Sequence, residues 1–531
     1  MEYGLYSLVP PLVAIILAIL TRKVVLPLGM GVAAGALLLA HGGKNTQWWQ
    51  APEVFFDALW NSVFSVSHFQ ALAFSLLLGA MVGVLEAGGS MRALIQRISK
   101  KVKSRRGAQT LVATSGLAIF FDDYANTLLL GGTMRSTADQ YRLSREKLAY
   151  LVDSTAAPVA GLAVVSTWAA IEISYMADGL KIGGIDESHA AFEMFIQSIP
   201  YRFYPWLALA MVFIISLTGR DFGPMRRAEI EAIESDPKVP DASEEERSAE
   251  SRWLWTAAVV PVVLCVAVVA AVLVYTGLSA LAESGSVDRE VGSIRWAGEV
   301  LGNGDSYVAL IAGGATGLIT AILMHLGLSD CSLSKVLRAS LAGARQMLPA
   351  LVILWFAWAL SAMTEPERLD TGGYLASVLS ARLDPRMLPT VVFLIAGAMA
   401  FSTGTSWGTM AILTPLSIGL ALQLEPGSAP DSANVLATCG AVLAGAIFGD
   451  HCSPISDTTV LSSRASDCDH VAHVRTQMPY AVLVGTICVL VGTIPAPFGL
   501  SPWISLILGV SVILVCVLWC GKPPRETAGD V

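Results

Sequence analysis

Two short polar segments interrupt apolar stretches of the chain and carry residue types that bind ions. The first is residues 120–127 and the second is residues 448–459. A charged side chain at the centre of a bilayer costs about 2.5–3.5 kcal/mol on insertion scales, so carboxylates there favour a functional role over packing. The two segments together hold Asp122, Asp123, Asp450 and Asp457. The sequence therefore predicts an ion site.

The surrounding sequence is that of a membrane protein. Of the 531 residues, 54% are apolar and only 14% are charged, whereas soluble domains average about 25% charged residues. Runs of about 20 apolar residues recur along the chain, which indicates a polytopic α-helical protein. The apolar/polar alternation of a membrane β-barrel is missing from these runs.

The ligands that sodium prefers are hard oxygens, which come from carboxylates, hydroxyls, amides and the free carbonyls of broken helices. A buried aspartate can hold either a proton or a metal ion. Competition for one site would then produce exchange. The candidate ion- or substrate-binding residues are Asp122, Asp123, Asn126, Thr127, Ser154, Thr155, Ser402, Thr403, Thr405, Ser406, Asp450, His451, Ser453, Asp457 and Thr458. The candidate Na+ ligands among them are Asp123, Asn126, Asp450, Ser453 and Asp457.

Structural explanations stay open for several candidates. Asp122 could cap a hairpin turn, and the hydroxyls of 402–406 could be helix-packing groups. His451 could be a hydrogen-bond partner of an aspartate or a proton carrier. Outside the two segments, we expect Asp153 to lie at the membrane interface and Glu172 to be a candidate for an external vestibule.

Basic residues predict the orientation of the chain. Residues 92–106 contain seven Lys and Arg and no acidic residue, and Arg22-Lys23 separate the first two apolar runs. By the positive-inside rule both regions are cytoplasmic. We therefore expect an external N-terminus and a cytoplasmic C-terminus in the plasma (inner) membrane.

Two apolar stretches have polar breaks that leave each arm too short to cross a core about 30 Å thick. The first is about 108–134, broken at Asp122-Asp123 and flanked by basic residues at both ends. The second is about 387–421, broken at 402–406, with no Lys or Arg just beyond it. The pattern predicts two re-entrant hairpins that enter from opposite faces.

The second half of the chain repeats the first in the opposite orientation, which is typical of secondary transporters with inverted repeats. Residues 154–159 and 450–455 match in this repeat, each with a Pro expected to break its helix. The fold predicted is an all-α polytopic membrane protein with about 11 transmembrane helices and two hairpins. Its parts are a first repeat at 1–218, a cytoplasmic linker at 219–252, an inverted second repeat at 253–498, and an extra span with a cytoplasmic tail at 499–531.

These motifs resemble the NhaC family of sodium/proton antiporters, within the superfamily of hairpin-containing ion transporters. The most specific match is Gly449–Thr459, and residues 121–127, 153–158 and 402–408 are also similar to that family. The resemblance runs from the first span to about residue 495. It implies exchange of external protons for internal sodium, although relatives include exchangers of organic acids such as malate and lactate.

The sequence therefore predicts a sodium/proton antiporter that works by alternating access. The alternative is a sodium- or proton-coupled carrier of a small organic acid or amino acid. An intramembrane aspartyl protease is disfavoured, because Pro349-Ala350-Leu351 precedes Gly449-Asp450 and Gly-x-Gly-Asp is missing, so we expect no enzyme activity. The expected partners are Na+, H+ and lipid, with a homodimer as one assembly, and neither a cofactor nor nucleic acid.

Overall fold

The computed structural model describes residues 3–21, 23–42, 47–99, 102–185, 188–235, 253–283, 300, 304–329, 331–379 and 383–524. Within these ranges the secondary structure is helical, apart from a two-residue β-bridge between Asp221 and Lys522. The predicted all-α class is confirmed. Arg22, residues 236–252 of the predicted linker and residues 525–531 of the tail lie outside the described residues.

Short connections join the helices of the first half. These helices are α1 Val9–Thr21, α2 Val25–Gly42, α3 Ala51–Phe64, α4 Val66–Ala87, α5 Ser90–Ser99, α6 Arg105–Ala118, α7 Asp123–Gln140, α8 Arg145–Ala160, α9 Thr167–Ile182, α10 Ser188–Ser198, α11 Phe203–Thr218 and α12 Gly223–Glu234.

The helices of the second half are longer and more apolar near its start. They are α13 Thr256–Glu283, α14 Ser306–Leu328, α15 Leu333–Thr364, α16 Thr371–Leu379, α17 Leu388–Thr403, α18 Ser406–Leu424, α19 Ala433–Cys452, α20 Asp457–Ala465, α21 His470–Ile487 and α22 Pro502–Cys520.

Among the described residues, ten helices are long and apolar enough to cross a membrane. The number rises to eleven if the bent pair 190–201 and 203–218 counts as one span. The prediction of about 11 transmembrane helices is confirmed.

Two interruptions of the helices occur in each half, in the same order. Helices α6 and α7 are separated at 119–122, and α8 and α9 at 161–166. In the second half, α17 and α18 are separated at 404–405, and α19 and α20 at 453–456. The re-entrant paths of the first pair in each half, and the inverted orientation of the halves, stay predictions.

One helix break lies away from its expected position. Pro158 was expected to break its helix, but it lies inside the last turn of α8, and the interruption begins at Gly161. The new helix then starts at Ser166, whose hydroxyl accepts a hydrogen bond from the Ala169 N–H as an N-cap. Residues 145–182 therefore contain two helices, α8 and α9, separated after Pro158.

The helices form two groups. Helices α4, α13, α14 and α15 pack against one another, as do α6–α9 with α17–α21. The backbones of α4 and α15 approach closely, since a Cβ on Gly343 would lie 2.1 Å from the Gly79 carbonyl oxygen, and small residues permit such contacts between membrane helices. Helix α9 contacts α4 and α15, and so joins the two groups.

Residues 219–235 of the predicted linker are packed against the helical body. Asp221 is buried, forms an ion pair with Lys147 and accepts a hydrogen bond of 2.7 Å from the Tyr480 hydroxyl. Glu229 in α12 is also buried and accepts hydrogen bonds from Arg105 and from the Ser144 N–H. Burial raises the pKa of Glu229 from 4.5, and Arg105 partly offsets that rise.

Candidate ion-binding site

The first turn of α7 positions the paired aspartates. Asp122 is the N-cap: one carboxylate oxygen accepts from the Ala125 N–H at 2.7 Å and the other from the Thr167 hydroxyl at 3.1 Å. Both oxygens of Asp122 are thus used by the protein itself. This is the capping role that the sequence left open as an alternative to ion binding.

Asp123 differs, because neither of its carboxylate oxygens has a hydrogen-bond partner among the described residues. Its side chain is completely buried. The indole of Trp168 faces it but lies outside hydrogen-bond geometry. Buried polar atoms in native proteins are nearly always satisfied, so an unpaired buried carboxylate needs an explanation such as a bound ion.

Asn126 adds a further unpaired oxygen on the same side of α7. Its amide nitrogen donates to the carbonyls of Gly116 and Ile119 at 2.8 and 3.1 Å, which fixes the amide's orientation. Its Oδ1 has no partner within the described residues. Residues three apart on a helix share a face, so three unpaired oxygens of Asp123 and Asn126 lie in one turn.

The second polar segment brings Asp450 close to this turn. Asp450 is at the end of α19, is buried, and accepts a hydrogen bond of 2.6 Å from the Thr458 hydroxyl. It is near enough to Asp123 for their charges to interact. Its neighbour His451 meets the Tyr204 hydroxyl through Nδ1 at 3.0 Å and contacts neither oxygen of Asp450 through a hydrogen bond.

Asp153 is a buried member of the same polar region, whereas its expected position at the membrane interface stays a prediction. It is completely buried in α8. Its oxygens accept hydrogen bonds from Thr459 at 2.9 Å, Ser462 at 3.0 Å and the Gln477 amide at 2.6 Å. Asp153 is also close enough to Asp450 for their charges to interact. It therefore joins α8 of the first half to α20 and α21 of the second.

Sequence reasoning missed Gln477 as well. Its amide nitrogen also donates to the carbonyl of His451 at 3.0 Å, and its amide oxygen Oε1 lies 3.0 Å from His473 Nε2. The available signal was the spacing of His473 and Gln477, four residues apart in a largely apolar run. Such spacing places both on one face of a helix.

Most hydroxyl candidates use their hydrogens within the protein. Thr127, Thr155, Ser402 and Thr403 each donate to the carbonyl four residues earlier, and Ser453 donates to Phe401 at 2.7 Å. Ser402 is half-buried, while the other four are buried. Their oxygens keep lone pairs that can accept or ligate.

Three further candidates have fewer defined contacts. Ser154 and Ser406 are buried, and Thr405 accepts from the Thr409 hydroxyl through its backbone carbonyl at 3.1 Å. Their assignment to the ion site stays a prediction.

Asp457 is exposed, unlike the other three aspartates of the two polar segments, and it faces a cavity of about 500 Å³. It is still close enough to Asp450 for their charges to interact. The cavity is also lined by Thr403, Gly404 and Thr405 at the break between α17 and α18. Two cations from distant parts of the sequence, Lys23 and Arg345, line the same cavity.

Glu172 does not line an open vestibule. It is buried, and its Oε2 lies 2.7 Å from Nη1 of Arg202, which is itself completely buried. The Arg202 guanidinium also donates to the Gly161 carbonyl and to the Ser198 hydroxyl. Because Gly161 opens the break between α8 and α9, this ion pair fixes the path of the chain there.

Buried carboxylates on neighbouring helices of one group, in a chain with about eleven apolar spans, define a multi-pass membrane transport protein. Comparison with known proteins gives the particular family. The model of the Na+/H+ antiporter family matches residues 159–494. The chain belongs to that family, which is one of antiporters and not of enzymes.

Relatives cover the chain to different extents. An uncharacterised protein of Haemophilus influenzae is 34% identical over 97% of this chain and 95% of its own. An uncharacterised Na+/H+ antiporter of the same organism is 37% identical over 21% of this chain and 23% of its own. A malate-2H+/Na+-lactate antiporter of Bacillus subtilis is 32% identical over 23% of this chain and 25% of its own.

Two solved transporters share the fold. The YdaH transporter of Alcanivorax borkumensis has a TM-score of 0.56 and 17% identity, over 93% of this chain and 99% of that one. MtrF of Neisseria gonorrhoeae, from a class of antimetabolite efflux pumps, has a TM-score of 0.53 and 16% identity, over 97% of each chain.

Proposed function

We propose that this protein exchanges sodium for protons across the membrane by alternating access, with Na+ and H+ competing for Asp123 and Asp450. The observation that carries the proposal is the set of unpaired buried oxygens of Asp123 and Asn126 beside Asp450. Family membership supports the two ions.

Competition follows from the chemistry of a buried carboxylate. An ionised carboxylate without a counter-charge is strongly destabilised by burial. It must therefore hold a proton or a cation, and binding one releases the other. Asp123 would contribute both oxygens and Asn126 its Oδ1 to the cation. Asp450, fixed by Thr458, would supply the neighbouring negative charge.

The test measures sodium-driven proton movement in inverted vesicles, with sodium binding to the purified protein as a second readout. We expect Asp123→Asn and Asp450→Asn each to lose exchange and to weaken sodium binding at least tenfold. Asp431→Asn is the matched control, because Asp431 is exposed, and it should behave as wild type. Normal exchange in both site variants, with the protein inserted, would reject the assignment.

A second candidate function is the coupled transport of a small organic acid or amino acid. The observation that favours it is the cavity at Asp457, which Lys23 and Arg345 line. Both cations are exposed and form no ion pair within the described residues. Positive charge at a cavity attracts anions and repels sodium, and Asp457 could bind an ammonium group.

Competition experiments separate the two functions. If the organic substrate is transported, malate, lactate or arginine should stimulate proton movement. Arg345→Gln should then raise the concentration needed for half-maximal stimulation at least fivefold. Arg338→Gln, an exposed arginine two turns earlier on α15 and outside the cavity lining, is the control. A response to sodium alone, unchanged in Arg345→Gln, would reject this candidate.

A further inference from the structure

A second buried polar cluster lies at the opposite end of α9 from the ion site. Thr167 at the start of α9 contacts Asp122, and Asp178 is eleven residues further along, or about 16 Å at 1.5 Å per residue. Asp178 and His68 of α4 are 6% and 9% exposed, with His68 Nε2 lying 3.6 Å from Asp178 Oδ1. This pair spans the contact between the two groups of helices.

The geometry around His68 shows which of its nitrogens can change protonation. Nδ1 lies 2.6 Å from the carbonyl oxygen of Ser62. A carbonyl only accepts hydrogen bonds, so Nδ1 carries a hydrogen. Nε2 is then the atom that gains or loses a proton, and it faces the carboxylate. A bare lone pair there would oppose an ionised Asp178, whereas one proton between the two groups makes the contact attractive.

One face of the imidazole is covered by an indole. Its ring stacks on Trp358 with centroids 3.8 Å apart and planes within 4°, and a cation over an indole face is attracted to the ring. Trp358 is held by a hydrogen bond of 2.7 Å to Ser174.

Three buried oxygens beside the pair have no hydrogen-bond partner among the described residues. They are Asp178 Oδ2, Tyr175 OH and Tyr307 OH, with Tyr175 from α9 and Tyr307 from α14. Glu365, which follows α15, is close enough to Asp178 for their charges to interact. Lys181, Arg368 and Glu367 in turn lie close to Glu365.

We propose that His68 and Asp178 form a second proton-binding site, separate from Asp123 and Asp450. One proton adds to Nε2 of His68, where the Asp178 carboxylate stabilises it. The same proton leaves from Nε2 when the site releases it. No group of three or more metal-ligating side chains exists in the described part of the chain, and one imidazole with one carboxylate suits a proton. Because the site joins α4 to α9, proton binding strengthens the contact between the two helical groups.

The stacked indole supplies the experiment, because an imidazolium quenches tryptophan fluorescence more strongly than a neutral imidazole does. The pH titration of the purified full chain is compared with that of Trp358→Phe, and the difference isolates Trp358. We expect a one-proton transition in this difference. His68→Gln should abolish the transition, and Asp178→Asn, which removes the carboxylate 3.6 Å from Nε2, should shift its midpoint.

The matched control is His325→Gln. His325 is also buried, with Nδ1 on the Ala321 carbonyl, but has no carboxylate partner among the described residues. It should leave the Trp358 transition unchanged. A pH-independent Trp358 signal, or the same transition in folded His68→Gln, would overturn the proposal. If His68→Gln does not fold, an unmoved midpoint in Asp178→Asn overturns it. This measurement needs no transport, so its failure is distinct from failure of the exchange proposal.

Discussion

Replacing Arg202 by Met should destabilise the protein far more than replacing Arg202 and Glu172 together. Both side chains are at most 1% exposed, with 2.7 Å between Nη1 and Oε2. Removing one partner of a buried ion pair leaves an uncompensated charge and typically costs about 3–5 kcal/mol, whereas replacing both by neutral groups is often nearly neutral. We therefore expect Arg202→Met to lose about 3–5 kcal/mol of unfolding free energy.

The double variant Glu172→Gln/Arg202→Met should recover part of that loss. Recovery will be incomplete, because Arg202 also donates to the Gly161 carbonyl at the start of the α8–α9 break and lies over the ring of Phe195 at 4.7 Å. A hydrogen bond from a charged group such as this guanidinium contributes about 1.5–3 kcal/mol.

The assay is equilibrium unfolding of the wild type, the two single variants and the double variant in mixed micelles, analysed as a double-mutant cycle. The Arg145–Asp139 pair is the control: its side chains are 17% and 16% exposed at 2.9 Å, so its coupling should be about 0–1 kcal/mol. The reasoning is refuted if Arg202→Met is as stable as wild type, or if the double variant is no more stable than Arg202→Met.

Three further predictions concern the α17–α18 break, Asp153 and α12. Gly404 has a φ of 71° and its added Cβ would lie 2.4 Å from the Ile455 carbonyl oxygen, so Gly404→Ala should cost at least about 1–2 kcal/mol in the same unfolding assay. The control is Gly132→Ala, whose added Cβ would have nothing within 4 Å and should not be destabilising. Equal stabilities of Gly404→Ala and Gly132→Ala would refute this prediction. Asp153→Asn replaces a carboxylate oxygen that accepts from the Gln477 amide by a donor, so exchange in vesicles should fall at least tenfold. Adding Gln477→Glu, which restores an acceptor, should return part of the exchange. Full activity of Asp153→Asn would contradict a role for this hydrogen bond. Burial raises the pKa of Glu229 above 4.5, so the carboxyl ionises less readily when α12 is docked than when it is free. The docking of α12 should therefore weaken as pH rises from about 4.5 through the raised pKa. Hydrogen exchange of residues 223–234, corrected for intrinsic rates, should show this decline in wild type and a flat profile in Glu229→Gln; equal profiles would contradict it.

The polar breaks were predictable because they violate a strong local rule. Carboxylates, hydroxyls and glycines within apolar runs cannot continue an ordinary membrane helix, and the interruptions at Asp122, Gly404 and Ser453 are visible in the sequence alone. The break at 161–166 was placed too early, at Pro158. Proline is an obvious signal, but here Gly161 and the capping Ser166 determine the helix ends.

The partners of the carboxylates could not be predicted from local sequence. Asp153 is only eight residues after the basic Arg145. It is buried because α20 and α21 of the other half pack against α8. Likewise, Lys23 and Arg345 are 322 positions apart and share a cavity only because of the tertiary fold. Spacing along one helix predicts a shared face, but contacts between halves depend on topology.

The contacts of Asp221 limit how the two halves can rearrange. One carboxylate oxygen of Asp221 is shared by Lys147 from the first half and Tyr480 from the second, while its backbone pairs with Lys522. A motion that separated the halves at this end would break all of these contacts on one residue. In the alternating access proposed above, a motion that preserved these contacts would turn about Asp221 and would displace the far end of the molecule most.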